Sequence, residues 1–294
     1  MNFFKNTKTE KKSKPGTKPF RLFPSSKGSL LIISMDEGWL KCVHVKGNPR
    51  KRKIEFLCAE PIKDWDEGQI GARLKTLLQE QKLDVAHFLI SHPSHLTRAR
   101  ALRLPSINPV ELKTMVDLQV EKHTPDAKEE TLTYFRTMDS DAQGYSNVFL
   151  VMAHQDAVAR SARIVQKLPG RLTEVGSDVE GLTRWYQKYL QSEKAKPEAA
   201  SGTLLIDMDT EYASLMIFYG SEAYYHRSIP LKVTSLIEDA SGDTLNQFLS
   251  EVHRSIMAYE EEGFKGACTR FILTGVAVKI PGLAQKIGSE MKKI

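Results

Sequence analysis

Twice along this chain, short strand-like runs follow one another in close succession and then give way to alternating helix and strand patterns. In the first half the runs are Ser29–Ser34, Trp39–Val45 and Ile54–Cys58, read as a β-hairpin with Lys46-Gly47-Asn48-Pro49-Arg50 as turn chemistry. In the second half they are Thr203–Ile206, Ala213–Phe218 and Ala223–Ile229. Parallel neighbours need a crossover of about a dozen residues or more, so runs this close are antiparallel. A chain built this way is α/β, in two halves that each open on antiparallel strands.

The rest of the chain fills in that frame. Ile70, Leu74, Leu77 and Leu78 recur at helical spacing, Val85–Ser91 and Ala99–Leu104 read as strands, and Asn108-Pro109-Val110-Glu111 is a helix start. Leu112, Val116 and Val120 continue that helix, followed by strands Thr131–Thr137 and Asn147–Ala153. A helix marked by Val158, Ala162, Val165 and Leu168 closes at Pro169-Gly170; strand Leu172–Val175 and a helix from Val179 follow. Gln191–Gly202 is polar, proline-bearing and short of apolar anchors, which makes it the interdomain linker. Beyond it a helix spans about Asp243–Glu262, Phe271–Thr274 is a strand, and Pro281-Gly282 opens the last helix.

Charge is unevenly placed. Residues 1–27 hold eight Lys/Arg against Glu10, so that tail is +7, and with +6 for the whole chain the remainder is −1. The tail lacks periodicity and reads as disordered. Its opening Phe3-Phe4-Lys5 fits an aromatic and cationic contact with anionic lipid, or a solubilising tail. The near-neutral remainder argues against a nucleic-acid-binding core. The longest apolar runs, Leu30–Ile33 and Val148–Ala153, are far too short to span a bilayer. Cys42, Cys58 and Cys268 form no CxxC pair, which favours small buried hydrophobes in a reducing, cytoplasmic setting over a disulfide or zinc site.

Three segments carry chemistry. The turn Ser34-Met35-Asp36-Glu37-Gly38-Trp39-Leu40-Lys41 joins the first two strands, and Asp207-Met208-Asp209-Thr210-Glu211-Tyr212-Ala213 joins the corresponding strands of the second half. Leu273-Thr274-Gly275-Val276-Ala277-Val278-Lys279-Ile280-Pro281-Gly282-Leu283 follows the last strand. Together with Arg98–Pro105, Glu111–Pro125, the strand Thr131–Arg136 and the run Arg227-Ser228-Ile229-Pro230, their order resembles the PilM family of type IV pilus assembly proteins, over about residues 28–294. The resemblance implies an actin-like (ribonuclease H-like) two-domain fold. Residues 28–190 form domain 1, with a small subdomain inserted at about 98–170; residues 191–202 are the linker and 203–294 domain 2. Only about a dozen residues separate Pro230 from Asp243, which implies a reduced upper subdomain in the second half, and the last domain reads as incomplete at its C-terminal end.

In this family the two turns close on the phosphates of a nucleotide, glycines letting backbone N–H groups approach the anion. Matched to that pattern, Lys41, Asp207, Gly275 and Gly282 are kept. Ser34 stands for a carboxylate, Asp36 and Asp209 for glycines, Val276 for a glycine beside the adenosine, and Thr210 adjoins the second turn. Glu251 and Arg254 fall where the family lines the base pocket; surface charge is the alternative. Like charges near a triphosphate cost about 4 kcal/mol per 4 Å contact at an effective dielectric of about 20. The cleft therefore reads as vestigial and the protein as a pseudo-ATPase with no cofactor; ATP and magnesium are expected only if the cleft works. For Asp207–Ala213 a plain acidic hairpin turn is favoured over a magnesium site.

The resemblance further implies a cytoplasmic scaffold under the inner membrane that docks the N-terminal peptide of a PilN-like bitopic membrane protein. The groove would involve Val85–Leu89, the helix Glu111–Val120 and the strand Val148–Met152, with Met115, Leu118, Val148 and Leu150 as candidate contacts. An active actin-like ATPase and a GspL-like type II secretion scaffold are the alternatives, and self-association is compatible with each. Asp207-x-Asp209 also suggests a haloacid-dehalogenase phosphatase, but Glu211 occupies the place of its required Thr or Val. His92 and His95 lack a third ligand, and a solvated loop fits them better than a metal site.

Overall fold

The computed structural model describes residues 28–48, 51–123, 130–192, 201–239, 242–263 and 266–291. The basic tail with Phe3, Phe4 and Lys5 lies outside the described residues, as do residues 193–200 of the expected linker. In chain order the elements are β1 (Gly28–Met35), β2 (Trp39–Gly47), β3 (Lys53–Pro61), α1 (Glu67–Glu80), β4 (His87–His92), β5 (Thr97–Leu104), α2 (Pro109–His123), β6 (Thr131–Ser140) and β7 (Ser146–His154). There follow α3 (Gln155–Val165), β8 (Arg171–Ser177), α4 (Asp178–Gln191), β9 (Gly202–Met208), β10 (Tyr212–Tyr219), β11 (Glu222–Pro230), α5 (Val233–Glu238), α6 (Asp243–Glu261), β12 (Cys268–Gly275) and α7 (Leu283–Met291). The elements gather into two units. Of the described residues, one unit holds those up to Leu96 and Ala153–Gly181; the other holds those of Thr97–Met152 and those from Leu182 on.

In the first unit, alternation along the strands writes the sheet. Leu31, Ile33 and Met35 of β1 and Leu40 and Cys42 of β2 fall on one face and are buried. β1, β2 and β3 pair antiparallel, so the expected hairpin is a three-stranded meander; β4 and β8 add in parallel, giving the order β3-β2-β1-β4-β8. Against the Leu31 face pack Ile70, Leu74 and Leu78 of α1 with Ala162, Ile164 and Val165 of α3. Each fully buried aliphatic side chain contributes roughly 1.5–3 kcal/mol. α1 starts at a capping box in which Asp66 Oδ1 accepts from the Gln69 N–H at 2.8 Å and Gln69 Oε1 accepts from the Asp66 N–H at 2.9 Å. After α3 the chain turns at Gly170, φ 141°; a Cβ there would lie 2.5 Å from the Phe88 ring and 2.7 Å from the Val85 carbonyl oxygen. Only glycine fits.

The second unit repeats the scheme. β9, β10 and β11 pair antiparallel and β12 joins β9 in parallel. The sheet then continues past β11 into β5, β7 and β6, for the order β12-β9-β10-β11-β5-β7-β6. Leu245, Phe248, Leu249, Val252, Ile256 and Tyr259 of α6 pack on the buried face of β9–β11 together with Leu283, Ile287 and Met291 of α7. Among the described residues between β11 and α6, the six residues of α5 are the helical content. α2 lays Leu112, Val116 and Val120 onto Leu102 and Leu104 of β5 and Val148, Leu150 and Met152 of β7. No described helix is long and apolar enough to cross a membrane.

Candidate functional site

The turn between β1 and β2 is closed by its own aspartate. Ser34 and Lys41 are register partners at the end of the hairpin. Asp36 Oδ1 accepts from the Gly38 N–H at 2.8 Å and from the Trp39 N–H at 2.7 Å, and the Asp36 N–H donates to the Trp39 carbonyl at 3.1 Å. Aspartate favours this arrangement because its short side chain reaches the backbone two residues on. The carboxylate therefore faces the turn, and Glu37 at the tip is exposed.

The β9–β10 turn does the same with Asp209. Its Oδ1 accepts from the Thr210 N–H at 2.8 Å, and its own N–H donates to the Tyr212 carbonyl at 2.8 Å. The carbonyls of this turn are also engaged: Glu211 O accepts from the Leu231 N–H at 2.9 Å and Thr210 O from the Val233 N–H at 3.0 Å. The segment leading into α5 thus holds the turn from below. Asp207, at the end of β9, accepts from the Thr274 hydroxyl of β12 at 2.7 Å.

Gly275 is register partner of Met208, with φ 82°, and a Cβ on it would lie 2.1 Å from the Met208 carbonyl oxygen. The residue is glycine because two strands meet there, and that close approach alone requires it. Val276 packs as a half-buried side chain against the α6–α7 core. On α6, Glu251 accepts from Arg227 of β11 at 2.6 Å and from Arg254 at 2.6 Å, and Arg227 also donates to the Ser255 hydroxyl at 3.4 Å. Glu251 and Arg254 are members of one ion-pair cluster. Asp207, Thr274 and Gly275 form a second group across β9 and β12, while Ser34, Asp36 and Lys41 belong to the other unit.

No protein-family model and no curated protein sequence matches the chain. Among solved structures, the PilM–PilN type IV pilus biogenesis complex superposes with a TM-score of 0.71 at 19% identity, over 90% of this chain and 86% of that chain. The fold is PilM-like. A protein of Bacteroides thetaiotaomicron with an actin-like ATPase fold and unknown function gives 0.49 at 12% identity, over 93% and 91% of the two chains. Cyto-EpsL, the cytoplasmic domain of an inner membrane component of the Vibrio cholerae type II secretion system, gives 0.44 at 8% identity, over 72% and 75%. At 19% identity the likeness to the PilM–PilN complex is one of fold.

In this PilM-like α/β fold the candidate docking residues have different fates. Val148 and Leu150 are fully buried under α2, so their side chains offer no surface. Met115 is half-buried against the same core, and Leu118 is 60% exposed. Two residues that the sequence reading passed over join it in exposure: Ile107 at 64% and Val110 at 75%. Exposed apolar residues before and within an otherwise polar helical face were a readable signal. His92 corrects the solvated-loop reading: its ring is buried at the end of β4, and that burial pushes its pKa down to about 4.

Proposed function

We propose that this chain is a scaffold of a type IV pilus or related secretion platform, acting as a docking body that no nucleotide drives. The observation that supports it is the use of the turn amides. In phosphate-binding turns these N–H groups converge on the anion. Here Asp36 takes those of Gly38 and Trp39, and Asp209 takes that of Thr210. An incoming phosphate would have to displace a tethered carboxylate held at high effective concentration in each turn. Gly275, set against the Met208 backbone, has a packing reason to be glycine without an adenosine. The residues present do not fit a magnesium–nucleotide complex.

The partner we propose is the cytoplasmic segment of a PilN-like bitopic membrane protein, by analogy of fold with the PilM–PilN complex. On this chain it would meet the outer side of α2, where Val110 and Leu118 stand exposed, with Met115 at the margin. Such a scaffold works on the cytoplasmic face of the inner membrane, and the basic tail would favour anionic lipid there.

Thermal shift with and without millimolar magnesium–ATP tests the first part. A micromolar site would stabilise the protein by about 4 kcal/mol. No shift is expected, and a shift of several degrees would point to a working ATPase. Fluorescence titration of a labelled N-terminal peptide from the membrane partner tests the second. The Val110→Asp/Leu118→Asp variant should lose binding at least tenfold while keeping its melting temperature; unchanged affinity would remove α2 as the contact.

A further inference from the structure

The strand pairing brings together two cysteines that stand 16 positions apart without a motif. Cys42 of β2 and Cys58 of β3 are direct cross-strand partners, as are Val43 with Leu57 and Lys41 with Ala59. A register shift creates this pairing. Near the turn, Val45 faces Ile54, whereas His44 faces Phe56, so Glu55 is one extra residue in β3. Without that bulge Cys42 would face Leu57 and the two sulfurs would lie on opposite faces of the sheet. With it, both point to the face covered by α1 and α3, where Cys42 belongs to the core and Cys58 packs against it half-buried.

We propose that Cys42 and Cys58 form an oxidisable dithiol, a modification site for hydrogen peroxide that closes to a disulfide between β2 and β3. Directly opposed residues on antiparallel strands have Cα atoms about 4.5–5.5 Å apart, inside the window of about 4.4–6.8 Å that a disulfide needs. Access comes from position, because β3 is an edge strand of the five-stranded sheet and Cys58 is not fully covered. The pair is also electronically unequal. The Cys42 S–H bonds to Cys58, which raises the Cys42 pKa and lowers that of Cys58, and Arg73 nearby favours the Cys58 thiolate further. Burial and Glu60 oppose it without reversing the direction, and Glu60 is tied to Arg73 at 2.6 Å.

The chemistry balances with peroxide as the two-electron oxidant. The Cys58 thiolate attacks one peroxide oxygen, the O–O bond breaks, and hydroxide leaves with a sulfenic acid on Cys58. The Cys42 sulfur then attacks the Cys58 sulfur, the S–O bond breaks, and the departing hydroxide takes the Cys42 proton as water. Two thiols and one peroxide become one disulfide and two waters.

The full-length chain, reduced and then exposed to hydrogen peroxide, should fall from three titratable thiols under denaturing conditions to one. Peptide mapping should find the Cys42–Cys58 link, with Cys268, whose pKa burial pushes up to about 12, still reduced. Cys42→Ser should leave a sulfenic acid on Cys58 that dimedone traps, and Cys58→Ser should give no adduct on Cys42. The wild-type map decides the matter even if a variant misfolds. Three thiols remaining after peroxide, a link between chains, or oxidation at Cys268 first would each overturn the proposal.

Discussion

A methyl group at Gly275 would sit 2.1 Å from the Met208 carbonyl oxygen and 2.9 Å from its nitrogen, on a backbone at φ 82°. Gly282 has a similar φ of 79°, but open space around it. The two positions therefore separate strain from collision. Gly282→Ala should cost about 1–2 kcal/mol, the left-handed penalty alone. Gly275→Ala adds a clash that only a shift of β12 relative to β9 can relieve, and should cost at least about 3 kcal/mol. Urea denaturation of the two variants checks the difference. The same residue shows the limit of motif reading. The sequence shows a glycine after an apolar strand; that its neighbour is the Met208 peptide group is seen only in the structure. Asp36 and Asp209 are similar: their place in hairpin turns was visible in the sequence, but not that each carboxylate turns back on the amides of its turn.

At the scale of elements, β6 and β7 are tied by side chains to the strands of the second half. Tyr224 of β11 donates its hydroxyl to Asp139 of β6 at 3.0 Å, and Asn147 of β7 donates to the other oxygen of that carboxylate at 2.6 Å. Arg136 of β6 pairs with Glu222 of β11. Burial pushes the Tyr224 pKa up, and the Asp139 carboxylate reinforces the shift, so the hydroxyl stays a donor. A hydrogen bond to a charged acceptor contributes about 1.5–3 kcal/mol. Tyr224→Phe should therefore lower stability by about 1–2 kcal/mol, since Asn147 still holds Asp139; a loss below about 0.5 kcal/mol in urea unfolding would show the tie to be idle. Periodicity located the ends of β7 and β11 within one residue and stopped β6 three residues short, at Thr137 instead of Ser140. Which sheet they join was not legible, because a strand's alternation records that one face is buried and leaves its neighbour open.

For the whole molecule, acid stability follows from buried imidazoles. His226 of β11 is buried, and burial holds its pKa down at about 4, as it does for His92. A base with a depressed folded pKa is protonated first in the unfolded chain. Its stabilising contribution is complete above pH 6.5 and is lost as the pH falls from 6.5 toward 4. Glu174 acts oppositely, because burial raises its pKa to about 7 and its contribution fades as the pH rises from 4.5 to 7. Burial also lowers the His44 pKa and raises that of Glu262, so three histidines stand against two glutamates and stability rises with pH across that range. Urea midpoints between pH 4.5 and 6.5 test this. His226→Phe should flatten the profile and Glu174→Gln should steepen it; the same slope in His226→Phe would rule out the imidazole as its source.

The chain's periodicities and turn residues, by themselves, determined an α/β architecture in two halves and the positions of most helices and strands. These are local properties, set by which residues recur at the spacing of a helix or a strand. Only the tertiary structure decided that β5, α2, β6 and β7 pack with the second half, that Val148 and Leu150 are interior, and that Cys42 meets Cys58. Those outcomes depend on register and on long-range partners. A one-residue bulge or a single bridge such as Tyr225 with Arg100 changes them without leaving a mark on the local pattern.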